Sequence, residues 1–193
     1  MAEQQEQQRI TITDPQVMRA LAHPARLAIM EELGTGGGGL TATEAAEVAG
    51  LSPSATSYHL RALARYGLVE EAPSRGDARE RVWRSTVHSW QVDSGASDDP
   101  ETQAAEGALV DAYLAREVER IRDWRARAGD EPAEWSSAAL MSESVLLLSA
   151  DELKSFNDEV LRLIEPYKRR HRIAAPPEGA RTVVVTYKAV PLD

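Results

Sequence analysis

The sequence contains no cysteine, only one phenylalanine, and no hydrophobic run long enough to cross a membrane. Without thiols the chain cannot form a disulfide, a thiolate metal site or a cysteine-ligated iron–sulfur cluster. The histidines also lack the spacing of a helical metal site, because none has a second histidine or a carboxylate four residues away. These residues are His23, His59, His88 and His171. We therefore expect no metal and no cofactor.

The first residues, MAEQQEQQR, are polar and lack the charged-then-apolar order of an export signal. Because the rest of the chain also lacks an apolar span, the sequence predicts a cytoplasmic protein that does not bind membranes.

Signatures of catalysis are missing too. The stretch from Gly34 to Gly39 matches G-x-G-x-x-G, the dinucleotide-binding pattern. However, it follows a helical pattern rather than a strand, and Leu40 stands where a phosphate-binding loop needs lysine. No nucleophile elbow accompanies the serine, histidine and aspartate residues. We interpret the glycines as a flexible connector and predict that the chain is not an enzyme.

Charge is distributed unevenly along the chain. The net charge is -9, yet residues 9–92 carry nine arginines and nine acidic residues, whereas residues 93–193 carry 13 basic and 20 acidic residues. From residue 52 to residue 84, six arginines accompany four acidic residues. A locally basic segment in an acidic protein favours a polyanionic partner for that segment.

Residues 14–33 have a helical pattern that a proline interrupts. Asp14 and Pro15 suit the N-cap and the first turn. Pro24 removes a backbone hydrogen bond, so the pattern predicts either one bent helix or two short helices joined at His23. We interpret His23 as a packing or capping residue.

Residues 41–69 contain two short helical patterns separated by a tight turn. Thr41 and Glu44 form a T-x-x-E capping box at the start of the first helix. Gly50 suits a left-handed helix end, and Ser52-Pro53 restarts the chain as N-cap and first helical residue. This layout is typical of a helix-turn-helix, whose second helix has the width to enter the major groove of DNA.

The second helix, predicted from Pro53 to Tyr66, is amphipathic, with alanine and leucine on one face and serine, tyrosine and arginine on the other. After Gly67, residues 68–71 and 82–87 predict two strands that pair across a polar tip at residues 73–80. A hairpin in this position is a wing.

The ordered combination of these motifs resembles the ArsR-type winged-helix repressors of bacteria. It runs from Ala20-Leu21-Ala22-His23-Pro24-Ala25-Arg26-Leu27, through the turn at Gly50, to Ser57-Tyr58-His59-Leu60-Arg61-Ala62-Leu63 and Gly67-Leu68-Val69. The resemblance covers residues 14–87 and implies a dimeric transcription regulator whose second motif helix enters the major groove while the wing touches the DNA backbone. The chain departs from the family's best-known metal sensors, because it has neither their cysteine pairs nor their histidine and aspartate clusters.

The predicted DNA contacts divide by side-chain chemistry. Hydroxyl and phenol groups near the start of the second helix are assigned to base edges: Ser54, Thr56, Ser57 and Tyr58. Cations and one hydroxyl are assigned to phosphates: Thr43, His59, Arg61, Arg65, Arg75, Arg79 and Arg81. For each arginine the alternative is an ordinary solvated charge.

A long helical pattern from Ala104 to Ala128 follows a polar linker at residues 93–100. Its apolar stripe either packs on the winged domain or forms a dimer interface. We favour the interface, because flanking helices pair in the family and paired half-sites on DNA need a two-fold axis. The candidate interface residues are Val110, Leu114, Val118 and Ile121.

The C-terminal region goes beyond the minimal family pattern. The sequence predicts strands at Ala138–Leu148 and Thr182–Val190, the second one buried, with a helix capped by Ser149 and Glu152 between them. These strands are expected to pair with residues 9–13 or with the dimer mate. Four aromatic residues are candidates for lining a small-molecule effector pocket, although ordinary core packing is the alternative: Trp124, Trp135, Phe156 and Tyr167.

The predicted fold class is α+β, mainly α, with a winged helix-turn-helix domain followed by a long helix and a small C-terminal α/β appendage. The predicted divisions are a tail or short strand at 1–13, the DNA-binding domain at 14–92, the linker at 93–100, and a dimerisation and effector region at 101–193. The predicted function is a sequence-specific DNA-binding transcriptional repressor that acts as a homodimer. The alternatives are a winged-helix module for protein contacts and a regulator whose C-terminal region binds a small molecule.

Overall fold

The computed structural model describes residues 9–34, 38–73, 81–87, 89–92 and 98–192, which belong to two compact units, Met1–Arg127 and Ala128–Asp193. The first unit contains, in order, β1 (Arg9–Ile12), α1 (Pro15–Leu21), α2 (Pro24–Gly34), β2 (Leu40–Thr41), α3 (Ala42–Ala49), α4 (Pro53–Arg65), β3 (Val69–Ala72), β4 (Val82–Ser85), β5 (Ser89–Val92) and α5 (Pro100–Arg127). The second unit contains α6 (Ala133–Ala138), α7 (Ala150–Ile164) and α8 (Arg169–Arg172), with 3-10 turns at Ala128–Asp130 and Glu165–Tyr167. The predicted fold class is confirmed for the helix-turn-helix, the small sheet and the long helix.

The first helical pattern forms two helices rather than one bent helix. The Asp14 carboxylate caps α1 by accepting a hydrogen bond from the backbone nitrogen of Gln16 at 2.7 Å. His23 separates the helices, and its Nδ1 accepts a hydrogen bond from the backbone nitrogen of Ala25 at 3.2 Å. Because Pro24 has no backbone N–H to continue α1, the chain restarts there as α2. The predicted capping role of His23 is therefore confirmed.

The capping signals of the two motif helices are also confirmed. The Thr41 hydroxyl accepts from the backbone nitrogen of Glu44, and the Glu44 carboxylate accepts from that of Thr41 at 2.7 Å. Gly50 ends α3 in the left-handed conformation with a φ of 64°. Ser52 then caps α4, whose first residue is Pro53. The turn is tight because a glycine adopts this backbone conformation without steric cost.

The wing is an antiparallel sheet in the order β2-β4-β3. Val69 pairs with Ser85 and Ala72 with Val82, which confirms the predicted hairpin. The short strand β2 adds to the other edge of β4, where Leu40 pairs with Trp83. Gly39 enters β2 with a φ of 86°, and a Cβ atom there would lie 2.5 Å from the Trp83 carbonyl oxygen. A side chain at this position is therefore excluded both by conformation and by space.

Residues 9–12 form the predicted N-terminal strand, but its partner differs from the expectation. β1 pairs in parallel with β5, with Ile10 opposite Trp90. The suggested pairing with C-terminal strands is therefore wrong.

The core of the first unit joins the motif helices to the long helix. Its fully buried side chains include Met18, Leu21, Leu27, Ile29, Leu60, Leu63, Leu68 and Leu109. Because Ala105 and Leu109 of α5 are both 1% exposed, the start of the long helix belongs to this core. The compact units accordingly divide after Arg127, whereas the sequence suggested a division at residues 93–100. The assignment of separate functions to those ranges stays a prediction.

Both predicted C-terminal strands are wrong. Residues 139–149 and 176–192 have no regular secondary structure, and their apolar side chains are exposed: Leu147 is 101% and Val184 is 58% exposed. High β-propensity does not form a strand without a neighbour that fills the backbone hydrogen bonds, and these segments have no strand partner among the described residues. The capping box of α7, made by Ser149 and Glu152, is confirmed. None of the described helices is both long and apolar enough to cross a membrane.

Candidate nucleic-acid interface

Helix α4 separates an inward apolar face from an outward polar face. Leu60 and Leu63 are 0% exposed, whereas Tyr58 is 65% exposed. The same outward side presents Ser54, Arg61 and Arg65, which are exposed, and Ser57, which is partly buried. The predicted amphipathic character of this helix is therefore confirmed.

Thr56 and His59 do not lie on the outward face. Thr56 is 0% exposed, and its hydroxyl donates a hydrogen bond to the backbone oxygen of Ser52 at 3.0 Å. His59 is 9% exposed, and its ring lies 4.5 Å from the ring of His23. Both positions are adjacent to outward residues, but the helical rotation of about 100° per residue turns them into the core. We therefore withdraw Thr56 from the base contacts and His59 from the phosphate contacts.

Several of the predicted contact residues converge on one surface depression of about 440 Å³. Thr43 of α3, Ser57 and Arg61 of α4, and Arg81 beside the wing all line it. Thr41, Ala42 and Trp83 complete the lining. The helix-turn-helix and the base of the wing thus form a single concave polar surface.

Hydrogen bonds within α4 hold two of these side chains in place. The Ser57 hydroxyl donates to the backbone oxygen of Pro53 at 2.8 Å, and Arg61 Nε donates to the backbone oxygen of Ser57 at 3.1 Å. Arg61 is exposed, so its remaining N–H groups can donate to a phosphate. Ser57 retains its oxygen lone pairs as acceptors for a base donor.

Two carboxylates of β3 pair with the described wing arginines. Glu71 accepts a hydrogen bond from Arg81 at 2.9 Å, and Glu70 lies 2.6 Å from Arg84. Both pairs are about half exposed or more, so each contributes little to stability and can be broken. A phosphate that binds Arg81 has to compete with the Glu71 carboxylate. The predicted contacts Arg75 and Arg79 lie outside the described residues.

A cluster of His23, Arg26 and His59 behind α4 was not predicted from the sequence. Burial lowers the pKa of His23, and the nearby Arg26 charge lowers it further. The pKa of His59 is lowered first by burial and then by His23 and Arg26. Both rings are therefore held neutral more strongly than free histidines. The available signal was the inward position of His59 on an amphipathic helix, which the prediction overlooked.

Helix α5 presents an apolar stripe on the side away from the core. Val110, Leu114, Val118 and Ile121 are between 38% and 45% exposed. On its other side, Arg116 Nε donates to Glu31 of α2 at 2.6 Å, and Arg120 contacts the same carboxylate. The candidate dimer residues thus share one solvent-accessible face of a helix that is anchored by its opposite face.

The four aromatic residues predicted to line an effector pocket do not line either described cavity. Trp135 packs under Arg181, whose guanidinium carbon lies 4.8 Å from the ring centre, and Tyr167 packs in the same way with Arg172 at 4.5 Å. Phe156 is 39% exposed, and Trp124 is partly buried on α5. Two of the four aromatic side chains, Trp135 and Tyr167, therefore pack locally against arginine. The effector pocket stays an unsupported prediction.

Comparison with known proteins identifies the same segment. Residues 21–72 match a family described as a helix-turn-helix domain, whereas no curated protein matches the chain. A solved structure of a probable transcriptional regulator from Pseudomonas aeruginosa is 18% identical over 77% of this chain and 90% of that chain, with a TM-score of 0.32. That score is too low to establish a shared fold, so the assignment depends on the matched segment and its geometry. Residues 21–72 form a helix-turn-helix domain, the kind of domain with which DNA-binding transcription regulators contact their sites.

Proposed function

We propose that this protein is a sequence-specific transcriptional repressor of the ArsR type that binds DNA as a homodimer. The observation that carries the proposal is the concave surface described above, on which α4, the start of α3 and the base of the wing bring Thr43, Ser57, Arg61 and Arg81 together. Repression is included because residues 14–87 resemble a family of repressors.

In the proposed complex α4 lies in the major groove. Ser54, Ser57 and Tyr58 read base edges, because they share the outward side of the helix near its start. Cations and one hydroxyl position the protein on the phosphates: Thr43, Arg61, Arg65 and Arg81, together with Arg75 and Arg79, which lie between β3 and β4 in the sequence. The number of phosphate contacts is small, so binding weakens with salt along a moderate slope.

The exposed stripe of α5 supports the homodimer. Four apolar side chains on one face of a helix are costly in water, and a second copy of the same helix offers a complementary apolar surface. A two-fold axis through this contact relates two copies of α4, as paired half-sites one turn of DNA apart, about 34–36 Å, require. No small-molecule effector is part of the proposal.

Footprinting and fluorescence anisotropy on duplexes from the protein's own promoter region test the proposal. Wild-type protein should protect a two-fold symmetric site. Tyr58→Ala should reduce the discrimination between that site and scrambled DNA about 10-fold, since a base contact contributes about 1–3 kcal/mol. Tyr167→Ala is the matched control, because Tyr167 is 63% exposed but lies in the second unit. The proposal is wrong if the wild type binds scrambled DNA as tightly as promoter DNA.

A promoter fusion tests the sign of regulation. Deletion of the gene should raise transcription from the bound promoter, and transcription should fall again when the wild-type protein is supplied. A fall in transcription on deletion would contradict repression while leaving DNA binding intact.

A further inference from the structure

The guanidinium of Arg26 is a partly buried charge that pairs with no carboxylate in the part of the chain that the structure describes. Its Nε atom is buried and has no hydrogen-bond partner among the described residues. A buried donor without an acceptor is costly, and a charged donor more so. Among the described residues, the Nε donor of Arg26 therefore has an unmet hydrogen bond.

Among the described residues, the groups that affect the pKa of Arg26 include no carboxylate. Burial lowers the pKa of Arg26, and the nearby phenols of Tyr58 and Tyr66 oppose this effect. His23 and His59 also lie near Arg26, which contributes to the lowered pKa of both. No carboxylate is among the groups that influence these three side chains. Since both histidines are held neutral, Arg26 is the charged member of the cluster at neutral pH.

Arg26 also opens onto a surface depression of about 390 Å³. Its lining is polar and cationic: Gln16, Arg19 and Ala20 of α1, Arg26 of α2, and Tyr66 just after α4. Since a water molecule occupies about 30 Å³, the depression has room for a phosphate-sized ion and part of its hydration shell. Two carboxylates contact lining residues and are already engaged: Glu101 pairs with Arg19 at 2.8 Å, and Asp14 caps α1 through the backbone nitrogen of Gln16.

We infer that this depression is an oxyanion-binding site in which Arg26 supplies the charge-assisted hydrogen bonds and Arg19, Gln16 and Tyr66 complete the ring of donors. A phosphate or carboxylate oxygen satisfies the guanidinium, and a guanidinium offers two parallel N–H groups to such a group. The site is separate from the concave surface that carries the proposed DNA contacts, because the two depressions share no lining residue.

Two sources can supply the oxyanion. One is a phosphodiester of the DNA backbone, because Tyr58 on the outward face of α4 lies close enough to Arg26 to affect its pKa. The other is a free inorganic or organic phosphate. The first source rests on the proposed function, whereas the second does not.

The first experiment measures thermal unfolding in inorganic phosphate against chloride at equal ionic strength. Phosphate at about five times its Kd should raise the Tm of the wild type by about 2–4 °C. Arg26→Gln should lose this rise. Arg122→Gln, an exposed arginine of α5, is the control and should keep it. If Arg26→Gln fails to fold, Arg19→Gln at the exposed rim serves instead and should reduce the rise.

The second experiment measures the salt dependence of DNA binding for the same variants. If the oxyanion is a DNA phosphate, Arg26→Gln should lower the slope of log K against log salt by about 0.9, whereas Arg122→Gln should not change it. If Arg26→Gln loses the phosphate-induced rise in Tm but keeps the wild-type salt slope, the ligand is a free anion. If Arg26→Gln keeps the rise in Tm but has a lower salt slope, the ligand is a phosphate of the DNA backbone.

The inference is overturned if the wild type and the Arg26 and Arg19 variants respond identically in both experiments. If the wild type binds no DNA at all, the proposed function fails. The melting experiment then still decides the oxyanion site.

Discussion

At the residue scale, the direction of each side chain decides which polar groups of α4 can meet DNA. Ser57 and Tyr58 are neighbours of Thr56 and His59, yet the first pair lies towards solvent and the second pair lies in the core. A hydroxyl or imidazole in the core acts on stability rather than on recognition. The two roles can be distinguished by measuring, for each variant, both the free energy of unfolding and the DNA sequence preference.

Thr56→Val should lower the free energy of unfolding by about 0.5–1.5 kcal/mol, because it removes a buried hydroxyl without changing the side-chain shape much. The loss should be near the lower end, since the Ser52 oxygen keeps its bond from the Thr56 backbone nitrogen at 2.9 Å. Urea unfolding measures the effect, and binding to promoter variants should show unchanged sequence preference. A change in preference like that expected of Tyr58→Ala would return Thr56 to the base contacts.

The neutral histidine pair predicts a loss of stability in acid. Burial lowers the pKa of His23 and His59 in the folded protein, so near the unfolded pKa of about 6.5 the unfolded chain binds more protons. The neutral rings therefore make their full contribution to the free energy of unfolding above about pH 6.5. This contribution is lost progressively as the pH falls from there towards the lowered pKa of the folded protein.

Urea unfolding at pH 7.5 and pH 5.5 tests this prediction. From pH 7.5 to pH 5.5, the free energy of unfolding should fall more in the wild type than in His59→Gln, because the variant lacks one of the titrating rings. Equal losses in both proteins would show that carboxylates elsewhere, and not this pair, control the acid response.

At the element scale, α5 has two faces that differ in their contacts. Ala105 and Leu109 fix its first half on the core of the winged unit, and Glu31 of α2 holds Arg116 and Arg120. The stripe of Val110, Leu114, Val118 and Ile121 on another face remains open. A helix anchored in this way presents its apolar stripe rigidly, which favours a specific contact between copies.

Leu114→Glu should weaken the proposed dimer, because it places a charge in the centre of the apolar stripe. Sedimentation equilibrium should show dimer for the wild type and monomer for the variant at the same concentration. Ala115→Glu introduces the same charge at an exposed neighbouring position outside the stripe and should remain dimeric. Equal association of both variants would exclude this face as the interface.

At the scale of the whole molecule, apolar surface is concentrated where the chain lacks regular structure. Leu140 is 84%, Val145 is 78% and Val190 is 75% exposed, all in the second unit. Monomeric soluble proteins rarely expose apolar surface in continuous stretches. Together with the open stripe of α5, this distribution favours a chain whose stability depends on association.

The unfolding temperature of an associating protein depends on its concentration, because dissociation accompanies unfolding. The Tm of the wild type should therefore rise as protein concentration increases from micromolar to about 100-fold higher. Differential scanning calorimetry over that range measures the effect, and Leu114→Glu should show a weaker dependence. A Tm of the wild type that does not change with concentration would indicate a stable monomer.

The sequence predicted local interactions correctly and failed for interactions between residues far apart in the chain. The caps at Asp14, Thr41, Ser52 and Ser149 were predictable because a cap depends on residues within about four positions. The inward position of His59 follows from the helical period and was overlooked, whereas its contact with His23, which lies between α1 and α2, could not be predicted from local sequence. The prediction of C-terminal strands was wrong because a β-strand requires a partner strand, and that partner can lie anywhere in the sequence or on another chain.

The amino-acid sequence by itself determined where the helices of the DNA-binding motif begin and end, because local hydrogen bonds and the period of apolar residues decide those points. Only the tertiary structure decided that the rings of His59 and His23 meet, that β1 pairs with β5, and that Arg26 Nε lacks an acceptor among the described residues beside an open depression. These features arise from contacts between residues far apart in the chain, and short-range pattern carries no information about which distant groups meet.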